Sequence, residues 1–155
     1  MRVAGLDLSL TGTGIVVLSS TQRVVMHALV KTKKDEEQTY DLQERIHTIV
    51  DAVSLYCRDT DVNTIVIEDH AFHPARGSDT RPHELSGVVK YELWRLDMGF
   101  LLANISTVKK FATGKGNASK EEMRVAAGVA GFEPGAKNDN LADAYFLARW
   151  GFEEA

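Results

Sequence analysis

The stretch VAGLDLSLTGTGIVV, residues 3–17, runs an apolar segment into a single carboxylate, Asp7, breaks into Ser, Thr and Gly, and then turns apolar again. Short β-branched runs separated by small and polar residues read as strands joined by turns. Strands are therefore expected over 2–9 and 13–19, with a third over 22–31 after the turn-like STQR. The three would form antiparallel hairpins. Asp7 sits where the first of them ends, and a carboxylate buried there is costly to desolvate without a cation, a metal ion or access to water.

Outward from this hairpin, Leu42, Ile46, Ile49, Val50, Val53 and Cys57 recur at three- and four-residue steps and predict an amphipathic helix over 38–57. TIVIE, residues 64–68, is a compact β-branched run suited to a buried parallel strand, and it too ends on an acid, Glu68. A polar segment broken by two prolines and a glycine, residues 69–83, predicts a long loop. A helix over 84–98, a strand over 104–109 and a flexible loop over 112–118 follow. Ser119 and Glu122 have the spacing of a capping box and open a helix to about 130, and a last helix is expected over 139–150. This order predicts an α/β protein, a mixed five-stranded sheet flanked by helices, forming one domain over residues 1–155.

The totals agree with a folded chain of ordinary composition. Of its 155 residues 44% are hydrophobic and 26% charged, with 12 Gly and 3 Pro, which argues against low complexity. No apolar run reaches the roughly 18 residues of a membrane span, and the N-terminus lacks the pattern of a secretory signal, so a cytoplasmic protein with no membrane partner is expected. The lone Cys57 excludes an intramolecular disulfide and reads as buried filler. A net charge of −4 disfavours a nonspecific nucleic-acid binder, although the segment 109–124 is rich in Lys and Arg and leaves room for a local basic patch.

Strands joined through a helical crossover are often parallel neighbours, and active sites favour their carboxyl ends. Asp7 and Glu68 both occupy such ends. In NDNLADAYFLA, Asp143 shares a helix face with Asn140 three residues before it and Asp139 four before it. If that helix packs beside the strand ends, oxygen ligands converge in a set that suits Mg²⁺ or Mn²⁺ and metal-assisted phosphoryl transfer. The plainer reading is that Asp139 or Asn140 only caps the helix. His70, His73 and His83 with Asp69 match no closed zinc site.

Five segments, GLDLSLTGTG, IVIED, ELSGVVK, KKFATGKGNASKEEM and NDNLADAYFLA, in this order between residues 3 and 148, resemble the RuvC family of Holliday junction resolvases, particularly its phage-encoded members. The resemblance implies an RNase H-like fold, a homodimer, and Mg²⁺-dependent nicking of four-way or branched DNA, with Mn²⁺ as a possible substitute; a phage-encoded protein would act in the host cytoplasm. It places Asp7, Glu68 and Asp143 on metal-binding acids. The position three before the last acid, usually Asp or His, is Asn140 here. Three options stay open for the fourth ligand: Asp139 from the adjacent position, Asn140 through its amide oxygen, or an inactivating residue at 140. Lys115 and Lys120 fall in a segment that lies near the scissile strand in the family, with Lys120 the candidate to balance charge on the phosphate and Lys109 and Lys110 further candidates for DNA contact. Phe72 is a candidate junction wedge, one residue out of the family's register. Three alternatives remain: a noncatalytic junction-binding protein, an RNase H-like nuclease of other preference, and a sugar-kinase or actin-like ATPase.

Overall fold

The computed structural model describes residues 1–69, 79–135 and 138–154. In chain order the elements are β1 (Arg2–Asp7), β2 (Thr13–Ser19), β3 (Val24–Val30), α1 (Asp41–Asp59), β4 (Thr64–Glu68), α2 (Arg81–Arg95), β5 (Phe100–Ala103), α3 (Ile105–Thr113), α4 (Lys120–Val129) and α5 (Asp139–Glu154). One five-stranded sheet runs in the order β3-β2-β1-β4-β5. The β1–β2 and β2–β3 pairs are antiparallel, whereas β4 is parallel to both β1 and β5. No helix among the described residues is long and apolar enough to cross a membrane.

Alternation along the strands divides the core in two. Val3, Val16, Leu18 and Val66 face one side, where they pack with Leu141, Ala144, Leu147 and Ala148 of α5 and with residues of α3 and α4. Ala4, Leu6, Ile15, Val17, Ile65 and Ile67 face the other, against Ile46, Ile49 and Val53 of α1 and Leu85, Val89 and Leu93 of α2. Cys57 belongs to this second cluster, and burial pushes its thiol up to about 12, which leaves it an inert apolar filler.

The helix α5 lies unusually near the sheet. A Cβ placed on Gly5 or Gly14 would collide with the carbonyl oxygens of Ala144 and Asn140, and one on Gly151 would come within 2.6 Å of Val66 and 2.7 Å of Val3. Glycine at these points lets the helix backbone rest directly on β1 and β2.

Two sequence expectations require correction. Residues 104–109 are not a strand: the strand is Phe100–Ala103, and Ile105–Thr113 is the helix α3. Asn104 caps that helix by accepting a 2.9 Å bond from the Ser106 amide, and Gly114 ends it at φ +80°. These end signals override the β-branched composition of ISTV. The helix expected over 84–98 begins three residues earlier and ends at Arg95, with Pro82 in its first turn, where its missing N–H costs nothing.

Candidate active site

The last paired positions of β1 and β4 are Leu6 and Ile67, so Asp7 and Glu68 stand side by side at the carboxyl ends of neighbouring parallel strands. Asp7 shares parity with Val3 and Gly5, and Glu68 with Val66; both are therefore on the face covered by α5. Asp143 immediately precedes Ala144, whose carbonyl rests on Gly5. The close approach of α5 thus brings the third acid to the two strand ends.

Their electrostatics are those of like charges held out of water. Asp7, only 9% exposed, is pushed well above the usual carboxylate range by burial, then by the charges of Asp143 and Glu68, with Lys120 pulling the other way. Asp143 is raised to about 6 by burial and then by Glu68, against the opposing pull of Lys109 and Lys120. Burial raises Glu68 as well, opposed by Lys109. The Asp143 Oδ1 atom is fully buried and accepts no hydrogen bond among the described residues. An unsatisfied carboxylate oxygen beside the buried Asp7 and the half-buried Glu68 is the donor chemistry of a hard divalent cation. Among the described residues no three such side chains are yet gathered tightly enough to cage an ion.

The other candidate residues divide. Lys109 is half-buried on α3 and acts electrostatically on Glu68 and Asp143, while Lys110 is exposed on the same helix. Lys115 is turned toward Glu122, 2.8 Å from its Oε1, and the Ser119–Glu122 capping box expected from sequence is present. Lys120 opens α4 and lies 3.4 Å from Asp139 Oδ2. Asn140 donates through Nδ2 to the carbonyl of Gly12 in the β1–β2 turn. Phe72, His70 and His73 lie outside the described residues.

Two arginines escaped the sequence reading. Arg124 of α4 donates to Asp139 Oδ1 at 2.6 Å and also pairs with Glu121. Its spacing of four from Lys120 was the available signal, since it puts both cations on one helix face. Arg45 of α1 is buried and reaches across the sheet end, donating to Leu10 O at 3.1 Å and Thr32 Oγ1 at 2.9 Å while pairing with Asp41 at 3.4 Å. Thr13 closes the same turn, its hydroxyl donating to Ser9 O at 2.8 Å and accepting from the Ser9 amide at 3.1 Å. The turn next to Asp7 is thus held by Arg45 and, at Gly12, by Asn140.

The arrangement has relatives. Residues 3–148 match the family model of the crossover junction endodeoxyribonuclease RuvC. No curated protein matches the chain. Among solved structures, RuvC of Thermus thermophilus superposes with a TM-score of 0.75 at 22% identity, over 96% of this chain and 91% of that one. The yeast mitochondrial Holliday junction resolvase follows with a TM-score of 0.59 at 12% identity, over 94% and 75% of the two chains. The fowlpox virus Holliday junction resolvase also gives 0.59, at 9% identity over 99% of each chain. The sheet order and the flanking helices are those of an RNase H-like fold, and with the family model spanning nearly all its length the chain belongs to the RuvC family.

Proposed function

We propose that this protein is a Mg²⁺-dependent endonuclease that nicks Holliday junctions and other branched DNA. The observation that carries the reading is the gathering of three mutually repelling carboxylates, buried Asp7 and half-buried Glu68 and Asp143, at one sheet end with an oxygen of Asp143 unsatisfied. Membership of the RuvC family supports it, as do a Thermus thermophilus RuvC structure in complex with a Holliday junction substrate and a fowlpox resolvase structure with junction DNA.

Asp7, Glu68 and Asp143 would hold the ions, with Mn²⁺ able to stand in for Mg²⁺. When bound, the metal makes water nucleophilic at neutral pH and offsets charge on the phosphoryl oxygens. The chain's own residues set the rest. The strand ends and α5 fix the three acids, while Lys109 and Lys120 carry positive charge beside them for a phosphodiester entering between α3, α4 and the sheet end. Lys110 and Lys115 extend this basic side, and Phe72 remains the candidate wedge at the junction centre.

A two-fold dimer would supply a second site for the opposite strand. The apolar stripe of α2 supports it: Val88 is 42%, Tyr91 60% and Trp94 69% exposed, on the side opposite the buried Leu85, Val89 and Leu93.

A second reading, a junction-binding protein without cleavage, is favoured by the bond from Asn140 to Gly12, which engages the position three before the last acid. One assay separates the two: a labelled four-way junction and a linear duplex of the same sequence, incubated with Mg²⁺, Mn²⁺ or EDTA, with Asp7→Asn as control. Paired nicks confined to the junction, lost in EDTA and in the variant, are expected. Tight junction binding without cutting in either metal would overturn the nuclease reading.

A further inference from the structure

Both carboxylate oxygens of Asp139 face cations. Oδ1 accepts from Arg124 Nη1 at 2.6 Å, and Oδ2 lies 3.4 Å from Lys120 Nζ. The two contacts differ in kind. The side chains of Arg124 and Asp139 are 26% and 19% exposed, whereas that of Lys120 is 74% exposed. A short, half-buried guanidinium–carboxylate bond is held by planar, directional donors; a longer contact to an exposed ammonium is loose and readily exchanged. Lys120 also acts electrostatically on Asp7 and Asp143, so this ammonium is shared between Asp139 and the acids of the site.

We infer that Arg124 is a positioning residue: by neutralising Asp139 it keeps that carboxylate out of the metal set and leaves Lys120 available to a substrate phosphate. The inference rests on the nuclease reading and deepens it. Glu121, Arg124, Asp139 and Lys120 form a charge chain from α4 to α5 whose formal charges cancel. Without the guanidinium, Asp139 has Lys120 as its remaining close cation in that chain and draws it away from DNA. Without both Arg124 and the Asp139 charge, Lys120 is available once more. An ion pair that merely fastened α4 to α5 would behave differently, because losing both members would not restore anything.

The test uses the full chain with Arg124→Gln, Arg124→Lys, Asp139→Asn, the double variant Arg124→Gln/Asp139→Asn, and Asp143→Asn, each confirmed as folded by thermal melting. Four-way junction binding in EDTA is followed against salt, and binding of Mn²⁺ alone is followed by electron paramagnetic resonance. Each phosphate contact contributes about one unit to the slope of log K against log salt. Arg124→Gln is expected to lower that slope by about one, Arg124→Lys to keep most of it, and the double variant to restore it. Asp139→Asn is expected to hold Mn²⁺ within about twofold of the unsubstituted protein, while Asp143→Asn loses at least about tenfold, the range expected when a metal site is damaged.

A double variant that stays as low as Arg124→Gln overturns the inference, as does an Asp139→Asn protein that loses Mn²⁺ like Asp143→Asn. If Arg124→Gln does not fold, Asp139→Asn decides the metal arm, and Arg124→Met with Arg124→Met/Asp139→Asn decides the slope, Arg124→Lys serving as the charge-retaining control. Failure of the nuclease reading looks different: the unsubstituted protein itself would bind junction without cutting it, while the slope and Mn²⁺ comparisons among variants still stand.

Discussion

Gly5 of β1 stands against the backbone carbonyl of Ala144 in α5 with no room for a Cβ between them. The obstacle is main chain on both sides, so a methyl group cannot be accommodated by a rotamer change. Gly5→Ala is expected to lower stability by about 3 kcal/mol, read as a fall in the urea midpoint, because inserted core volume forces the backbone apart. It should also weaken Mn²⁺ binding, since lifting α5 moves Asp143 away from Asp7. A variant with unchanged stability would mean that α5 does not rest on Gly5.

This contact explains what could and could not be read from the chain. The strand-end positions of Asp7 and Glu68 follow from local alternation, and the shared face of Asp139, Asn140 and Asp143 follows from helical spacing. What brings the two sets together is the pair Gly5 and Gly14: in GLDLSLTGTG the first sits within a strand run and the second in the turn-like TGTG, and neither position shows by itself that it forms a bed for α5. Arg45 and Arg124 have partners far along the chain: Leu10 and Asp139 lie 35 and 15 residues away. Nothing local marks the buried Arg45, and the spacing of Arg124 from Lys120 gives its helix face but not its partner. At 104–109 the local signals do suffice: Asn104, Ser106 and Gly114 mark a helix, and these end signals outweigh the β-branched ISTV between them.

The charge at the site should be visible as a stability cost. The Asp143 carboxyl moves from 3.8 to about 6 on folding, so between these pH values the folded state binds more protons than the unfolded chain and stability falls as pH rises. The cost is fully present above about pH 6 and absent below about pH 4. In EDTA, Asp143→Asn is therefore expected to be more stable than the unsubstituted protein at pH 7.5, by about 2 kcal/mol, with the difference shrinking toward pH 4. Urea titrations of both proteins at the two pH values check this. Equal stability at pH 7.5 would mean that the carboxylate is not destabilised by its surroundings.

Asn140 makes a bond that aspartate cannot. Its Nδ2 donates to the carbonyl of Gly12, whereas an ionised carboxylate has no proton to give and would face that oxygen with like charge. In EDTA, Asn140→Asp is expected to be destabilised by about 1–2 kcal/mol, and by more than Asn140→Ala, which loses the bond without the repulsion. Thermal melts of the three proteins order them. If Asn140→Asp melts at or above the unsubstituted protein, the contact with Gly12 contributes nothing to holding the turn.

Arg45 should matter more than any residue at the site for the shape of the turn beside Asp7. Its side chain is 9% exposed and its guanidinium serves Leu10, Thr32 and Asp41, all of which Arg45→Ala would leave short of a partner. Breaking a buried charge pair and two further bonds is expected to cost about 3 kcal/mol or more, in urea. Arg45→Lys is expected to recover less than half of that, because one ammonium cannot span the three groups.

On α2, the outcome separates packing from assembly. Tyr91 and Trp94 lie side by side at the surface, their rings tilted by 39° with centroids 5.8 Å apart, and neither joins the buried cluster that holds the helix to the sheet. Replacing both with Glu removes an exposed apolar patch without opening a cavity, so folding stability measured in excess urea should change by less than about 1 kcal/mol. If the proposed two-fold runs through this stripe, the same substitutions place four carboxylates across the axis, and sedimentation should show a dimer for the unsubstituted protein and a monomer for the variant. Junction cleavage would then lose its pairing, giving single nicks in place of two symmetric ones. A double variant that still sediments as a dimer would place the two-fold elsewhere on the molecule.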